Sequence, residues 1–403
     1  MSNITENIEL LWIEKEKQTN DSCYKFEKKE EYCYGINNSN ILIHGDNLGA
    51  MKLLKKDYTE KIKCVYIDPP YNSLIDFQHY SDKYTHSEWL DMMYQRLLIL
   101  KELLTEDGYI FVQIDNRELH YLKIIMDEIF GRENYRNSII VRKCYDAYTL
   151  SDRQDVFKTG YDTLLLYSKN ISCSVPFIFK ENSGLENKGI WKDFWCIGSN
   201  GNNYKLFGID PENGSWRWTE VEAFTAIGNY KQLIKHIDSN NLNNESFEKV
   251  YFEYIRTNDI SIDLFSLIRI VNGRLEYYIP PTDNYILGDD WTDIVVQGAE
   301  TNFEHEVNED LLFRIISNFT EAGDIVLDAF LGSATSAAVA QKLNRKWIGI
   351  EYGEHCYSHC MKRINNIIDI QKLNNEDNET CGYDFYELIK VENNELENVG
   401  ELK

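Results

Sequence analysis

The sequence predicts an α/β fold: an open, largely parallel sheet covered by helices on both faces and interrupted by an irregular insert. Three observations carry that expectation. Strand-like apolar runs alternate with helical periodicity over residues 39–170 and again over 291–368. Between them, over 171–290, the alternation stops and Gly, Asn, Trp and Tyr become frequent. The residues suited to chemistry fall at the carboxyl ends of predicted strands, where open α/β sheets bind ligands.

Taken in order, residues 1–38 are charged and helix-prone and are expected to form an N-terminal helical extension. Ile41-Leu42-Ile43-His44 reads as a strand that passes through a Gly45-Asp46-Asn47 turn into a helix around 51–54. A strand over 63–67 delivers Asp68. The spacing of Trp89, Met92, Met93, Leu97, Leu100 and Leu104 predicts a helix that stops by Asp107-Gly108, with a strand at 109–114 behind it. A helix over 119–130, closed by Gly131, and strands at 138–141 and 163–167 complete the first half. After the insert the pattern predicts helix 308–319, strand 324–328, helix 334–343, strand 346–351 and helix 354–368. Glu and Asn dominate the remainder, so 369–403 reads as an acidic tail.

Composition bounds the function. With 403 residues, 43% of them hydrophobic, the chain can bury a large core, and disorder is excluded. No apolar run reaches the length of a membrane span, and the first residues lack a signal peptide's basic start and apolar stretch. Nine cysteines without regular spacing fit a reducing compartment, so a cytoplasmic location away from membranes is expected. A net charge of -24 opposes binding to phosphates in bulk, although it does not set the sign of one cleft.

Asp68-Pro69-Pro70-Tyr71 has the parts needed to methylate an exocyclic amino group. Such a nitrogen is a poor nucleophile because its lone pair is delocalised into the ring. Asp68 offers a carboxylate and Pro69 a backbone carbonyl to draw its N–H bonds out of conjugation, and Pro70, like Pro69, carries no N–H of its own. Tyr71 can stack on a base taken out of its duplex. The bland alternative is a rigid turn after a strand. Downstream, Asp328-Ala329-Phe330-Leu331-Gly332-Ser333-Ala334-Thr335 reads as a strand, a glycine turn and a helix start suited to a nucleotide-like cofactor. Gly332 would let backbone approach that cofactor, Ser333 and Thr335 flank the turn, and Glu351 at the next strand end could take ribose hydroxyls. Asp46 is either a helix N-cap or a contact to the cofactor's adenine. Arg142, Lys143, Arg153 and Lys158 follow a core strand and could grip phosphates. His355-Cys356 and His359-Cys360 share a metal-like spacing, but no other paired ligands accompany them and no metal is expected.

These residues resemble the beta-class DNA amino-methyltransferases, and more narrowly the modification subunits of type III restriction–modification systems. Ile43-His44-Gly45-Asp46-Asn47, Ile67-Asp68-Pro69-Pro70-Tyr71-Asn72 and the runs 89–97, 108–112, 130–135, 161–169 and 323–351 carry the resemblance. It implies a Rossmann-like sheet of permuted order, S-adenosylmethionine as methyl donor, and a target-recognition domain in the insert. Asp rather than Ser at 68 implies adenine N6 as the target. Cytosine N4, or a non-catalytic DNA-recognition subunit with a decayed donor site, stays open. The implied partners are double-stranded DNA, a restriction subunit and a second copy of the chain. Two departures stand out: Ala334 where the family has Gly, expected to crowd the cofactor, and Val307-Asn308 where it has Lys-Pro.

Overall fold

The computed structural model describes residues 9–12, 15, 23–35, 39–76, 81–143, 159–181, 189–197, 201–211, 214–261, 264–281, 284–296, 303, 306–373 and 382–391. Contacts divide the chain into two compact units, one built from 1–178 and 287–403, the other from Phe179–Ile286.

The larger unit is one sheet with helices on both faces. Its strands are β1 (Cys23–Lys28), β2 (Asn40–His44), β3 (Ile62–Ile67), β4 (Leu104–Ile114), β5 (Tyr135–Arg142), β6 (Tyr161–Ser168), β7 (Asp290–Val295), β8 (Ile325–Asp328), β9 (Lys346–Glu351) and β10 (Gly382–Val391). Across the sheet they lie in the order β1-β10-β2-β9-β8-β3-β4-β6-β5-β7. From β10 to β4 neighbouring strands run parallel. The sheet is largely parallel, as expected; the antiparallel pairings are those of β6 with β4 and β5, and of β1 and the short strand Tyr34–Gly35 with β10.

The residues of β3 explain why the sheet is covered twice. Cys64 and Tyr66 enter one core cluster, while Val65 and Ile67 enter the other, as the two-residue period of a strand requires. Helices α1 (Asn47–Tyr58), α2 (His86–Leu103) and α3 (Leu119–Phe130) cover the face that receives Val65, through residues such as Met51, Trp89, Leu97 and Ile125. Helices α4 (Glu309–Phe319), α5 (Thr335–Lys342) and α6 (Met361–Leu373) cover the other, through Leu312, Ile315, Ala338 and Ile364. Each half of the chain thus supplies the helices of one face. Helix α2 starts on a capping box, Thr85 with Glu88, which satisfies two backbone donors that would otherwise lack partners.

Both terminal segments depart from expectation. The described part of 1–38 forms no long helix; Cys23–Lys28 is β1, paired with β10. Tyr24 and Phe26 alternate with Lys25 and Glu27, a strand period that the charged background hides. The acidic tail is likewise not a tail throughout. Helix α6 runs to Leu373, and Gly382–Val391 inserts between β1 and β2 with Tyr383 and Phe385 fully buried. A π-turn over Cys356–Cys360 precedes α6, where a uniform helix was expected.

In the second unit, Ile190–Asp193, Arg274–Ile279 and Ile268–Val271 form a three-stranded antiparallel sheet. Helices Glu220–Ser239 and Phe247–Thr257 accompany it. Trp216 is buried and stacks on Phe194, whereas Trp195 is partly exposed. None of the described helices is long and apolar enough to cross a membrane.

Candidate active site

The strand order decides where the site lies. Because β8 and β9 insert between β2 and β3, four neighbouring parallel strands end side by side, each at an acidic residue. Asp46 follows β2, Glu351 closes β9, Asp328 closes β8 and Asp68 follows β3. These ends border a cavity of about 350 Å³, a size that ligand pockets commonly have. Asp46, Asp68, Pro70, Asp328, Phe330, Gly332, Ser333, Thr335 and Glu351 all line it.

At the β8 end the backbone turns sharply. The Phe330 N–H donates to Asp328 Oδ1 at 3.0 Å, and the Ser336 hydroxyl to Oδ2 at 2.5 Å. Burial pushes the Asp328 carboxyl up to about 7, the nearby Glu351 adding to the rise and those two donors opposing it. Gly332 has φ +55°, and a Cβ built there would meet only the Phe330 carbonyl oxygen, at 3.9 Å. Its conformation favours glycine, and its open face leaves room for a ligand. The Gly332 and Gly353 N–H groups donate to the two oxygens of Glu351, at 2.7 and 2.8 Å.

Ala334 corrects the crowding expectation. It adopts the left-handed conformation, φ +64°, as N-cap of α5, which accounts for glycine at the equivalent turn. Its methyl group belongs to the buried core cluster, and it does not line the cavity, whereas residues 333 and 335 do. Ala334→Gly is therefore expected to leave cofactor affinity within about twofold. Relief of the left-handed strain, about 1–2 kcal/mol, opposes a lost buried methyl of about 0.8 and added backbone freedom of about 0.5–1. Calorimetric titration with a thermal melt of both variants checks this; a tenfold change in affinity would restore the crowding account.

Asp46 is an N-cap and a cavity residue at once. Its Oδ2 accepts from the Gly49 N–H at 2.8 Å, and its Oδ1 lies 3.2 Å from Arg96 Nη2. Gly45 before it, at φ +146°, could carry no side chain, because a Cβ would come within 2.5 Å of Leu388 Cβ on β10. Arg96 also donates to Asn47 Oδ1 (2.5 Å), and Asn47 Nδ2 to the Ala329 carbonyl (2.6 Å), tying α1, α2 and the end of β8 together.

At the β3 end Asp68 Oδ1 is out of water and has no hydrogen-bond partner among the described residues. Burial pushes its carboxyl up to about 8. Tyr71 and Lys143 pull it down, while the charges of Asp162 and Asp328 raise it. The Trp89 indole donates to the Pro70 carbonyl at 2.7 Å. The Pro69 carbonyl accepts no hydrogen bond among the described residues. Tyr71 lies beside the cavity lining, half-buried, its hydroxyl accepting from Gln113 Nε2 (2.9 Å) and donating to Asp162 Oδ2 (3.4 Å). Tyr66 in turn donates to Gln113 Oε1 at 2.8 Å.

The basic residues separate. Arg142 ends β5 outside the cavity lining. Lys143 turns its ammonium toward Asp162, at 3.3 Å, and over the Tyr71 ring, 5.4 Å from its centre. Arg153 and Lys158 lie outside the described residues. His355 sits against Glu351 (3.2 Å) and the Phe303 ring, and the Cys360 thiol donates to the Gly332 carbonyl (3.1 Å). Sequence reasoning missed Tyr66, Asn47, Arg96, Gln113 and Asp162. The available signal was a polar residue in an otherwise apolar strand or helix stripe, as at Gln113 and Arg96.

A sequence model of the DNA methylase family matches residues 62–362. The chain is 30% identical over 383 residues to the "Probable type III restriction-modification enzyme HindVI Mod subunit" of Haemophilus influenzae, covering 82% of this chain and 51% of that one. It is 30% identical over 348 residues to the type II methyltransferase M.EcaI of Enterobacter cloacae, covering 81% and 69%. It thus spans about half the length of the Haemophilus relative. Among solved structures, that of an M1.HpyAVI–SAM complex aligns with a TM-score of 0.41 at 15% identity, covering 81% of this chain and 99% of that one.

Proposed function

The chain belongs to the DNA methylase family, and we propose that it transfers a methyl group from S-adenosylmethionine to N6 of adenine in double-stranded DNA. One observation carries the reading. Among the described residues, Asp68 Oδ1 and the Pro69 carbonyl are two acceptors without donors at a strand end beside the cavity, the complement of the two N–H bonds of an exocyclic amine.

The cavity fits the cofactor. Gly332 leaves open space that a Cβ would fill, α5 starts beside it, and Glu351 keeps lone pairs to accept from ribose hydroxyls despite its two backbone donors. Asp46, Asp328, Phe330, Ser333 and Thr335 would line the rest of that site. When bound, S-adenosylmethionine supplies a methyl group on a positively charged sulfur, open to direct attack by an amine. The chain's own residues do the remainder. Tyr71 stacks on the flipped base, and the Pro69 carbonyl and Asp68 draw the amino N–H bonds out of conjugation. Asp68 then accepts the proton that the methylated nitrogen must lose. The unit Phe179–Ile286 recognises the target sequence, Arg142 contacts phosphate, and the setting is a cytoplasmic restriction–modification system with a restriction subunit and a second copy as partners.

Long-read sequencing of DNA from cells expressing the chain tests this. Modified adenines at one recurring site are expected. Modified cytosines would move the target to N4, and unmodified DNA would favour a recognition subunit without activity.

A further inference from the structure

Asp162 is a buried carboxylate that the reaction as described does not use. It stands on β6, 2% exposed, and its partners come from three other parts of the fold. Oδ2 faces the Tyr71 hydroxyl at 3.4 Å and Gln113 Nε2 at 3.5 Å, and Oδ1 faces Lys143 Nζ at 3.3 Å. The same ammonium lies over the Tyr71 ring and 3.9 Å from Asp115, itself buried at the end of β4 and paired with Arg117 at 2.9 Å. Burying an anion here costs several kcal/mol before pairing, which a neutral Asn could have avoided.

We propose that Asp162 and Lys143 form a positioning pair for methyl transfer, locking the Tyr71 ring and setting the charge that Asp68 faces. The inference rests on the reading of Asp68 and Tyr71 given above. With its hydroxyl between Gln113 as donor and the carboxylates of Asp162 and Asp68 as acceptors, the Tyr71 ring is held in place. A base stacked on that ring is therefore presented to Asp68 at one angle. The pair also acts on Asp68 by charge, and its members act in opposite senses. Asp68 is faced by Tyr66 on β3, Tyr71 on the following loop, Asp328 on β8, Asp162 on β6 and Lys143 after β5. The negative charge of Asp162 favours the protonated carboxyl and the positive charge of Lys143 the ionised one.

The sign of the pH effect follows. Ionised Asp68 is the form that accepts the proton, so the single-turnover rate should rise with pH to a plateau, with a midpoint set by Asp68. Removing the negative charge in Asp162→Asn lowers the proton affinity of Asp68 and moves that midpoint to lower pH. Removing the positive charge in Lys143→Met moves it to higher pH.

The test is single-turnover methylation of DNA by the full chain across pH 5.5–9.5 for wild type and both variants, with S-adenosylmethionine affinity and thermal stability measured on each. Expected are plateau rates reduced by up to about 10²-fold, cofactor affinity within twofold of wild type, and midpoints displaced in opposite directions. Midpoints that coincide with wild type, or that move the same way in both variants, overturn the pair. Unreduced plateau rates overturn the positioning role. Wild type that binds cofactor yet transfers nothing at any pH removes the underlying reading of the site, and the pair with it.

Discussion

Asp68→Ala is expected to abolish methyl transfer while S-adenosylmethionine still binds within several-fold of wild type. The loss should be roughly 10²–10⁴-fold, the contribution typical of a positioned acid or base. The separation of effects follows from the strand order. Asp68 follows β3, whereas Asp328, Glu351 and Asp46 arise from β8, β9 and the turn after β2. Asp68 Oδ1 is also out of water with no hydrogen-bond partner among the described residues, so the fold gains little from it. Its raised proton affinity has a defined sign: folding favours the protonated form, so ionising it weakens the fold as pH climbs from the ordinary carboxylate range near 4 toward about 8. Asp68→Ala should therefore melt no lower than wild type at pH 8. Incorporation of labelled methyl groups and calorimetric titration report the two effects separately. Near-normal turnover would remove the central assignment, and loss of cofactor binding would place Asp68 on the donor side.

The candidate site was largely legible because its residues obey a local rule. β3, β8 and β9 are apolar runs that stop at or just before an acidic residue, and ligands collect at such ends. What escaped is what depends on distant parts of the chain. That β8 and β9 lie between β2 and β3 is a fact of topology, carried in part by the family resemblance and by no single residue. Asp162 sits in a run read as a plain core strand, and only the antiparallel placement of β6 beside β4 turns it toward Tyr71. Lys143 was read as a cation that could grip phosphate and lies over the Tyr71 ring. β10 was hidden by composition: its alternating Tyr383, Phe385 and buried Val391 lie within a segment where Glu and Asn dominate.

Arg363→Met should destabilise the larger unit by about 3–5 kcal/mol, the usual result of stripping one partner from a buried ion pair. The Arg363 side chain is 6% exposed, and its guanidinium bridges two acids, Glu306 at 2.5 Å and Glu309 at 2.7 Å. Its Nη1 also donates to the Thr335 hydroxyl at 3.0 Å and the Ser333 carbonyl at 3.3 Å, beneath the loop proposed to cradle the cofactor. Several effects compete. Methionine fills much of the volume and brings no charge to desolvate, which favours the variant. Glu309 keeps its ion pair with Lys342. The side chain of Glu306, however, is wholly buried, and removing Arg363 takes away the ion pair it makes at 2.5 Å. That term should win. A second substitution separates the causes: Glu306→Met added to Arg363→Met removes the buried acid as well and should restore stability to within about 1–2 kcal/mol of wild type, because an apolar pair of similar volume often replaces a buried ion pair without loss. Cofactor affinity should stay weakened in both variants, since neither restores the contacts to Ser333 and Thr335. Denaturant unfolding at neutral pH gives the first quantity and calorimetric titration the second. A double variant as unstable as the single one would mean that Arg363 acts through the loop and not through Glu306.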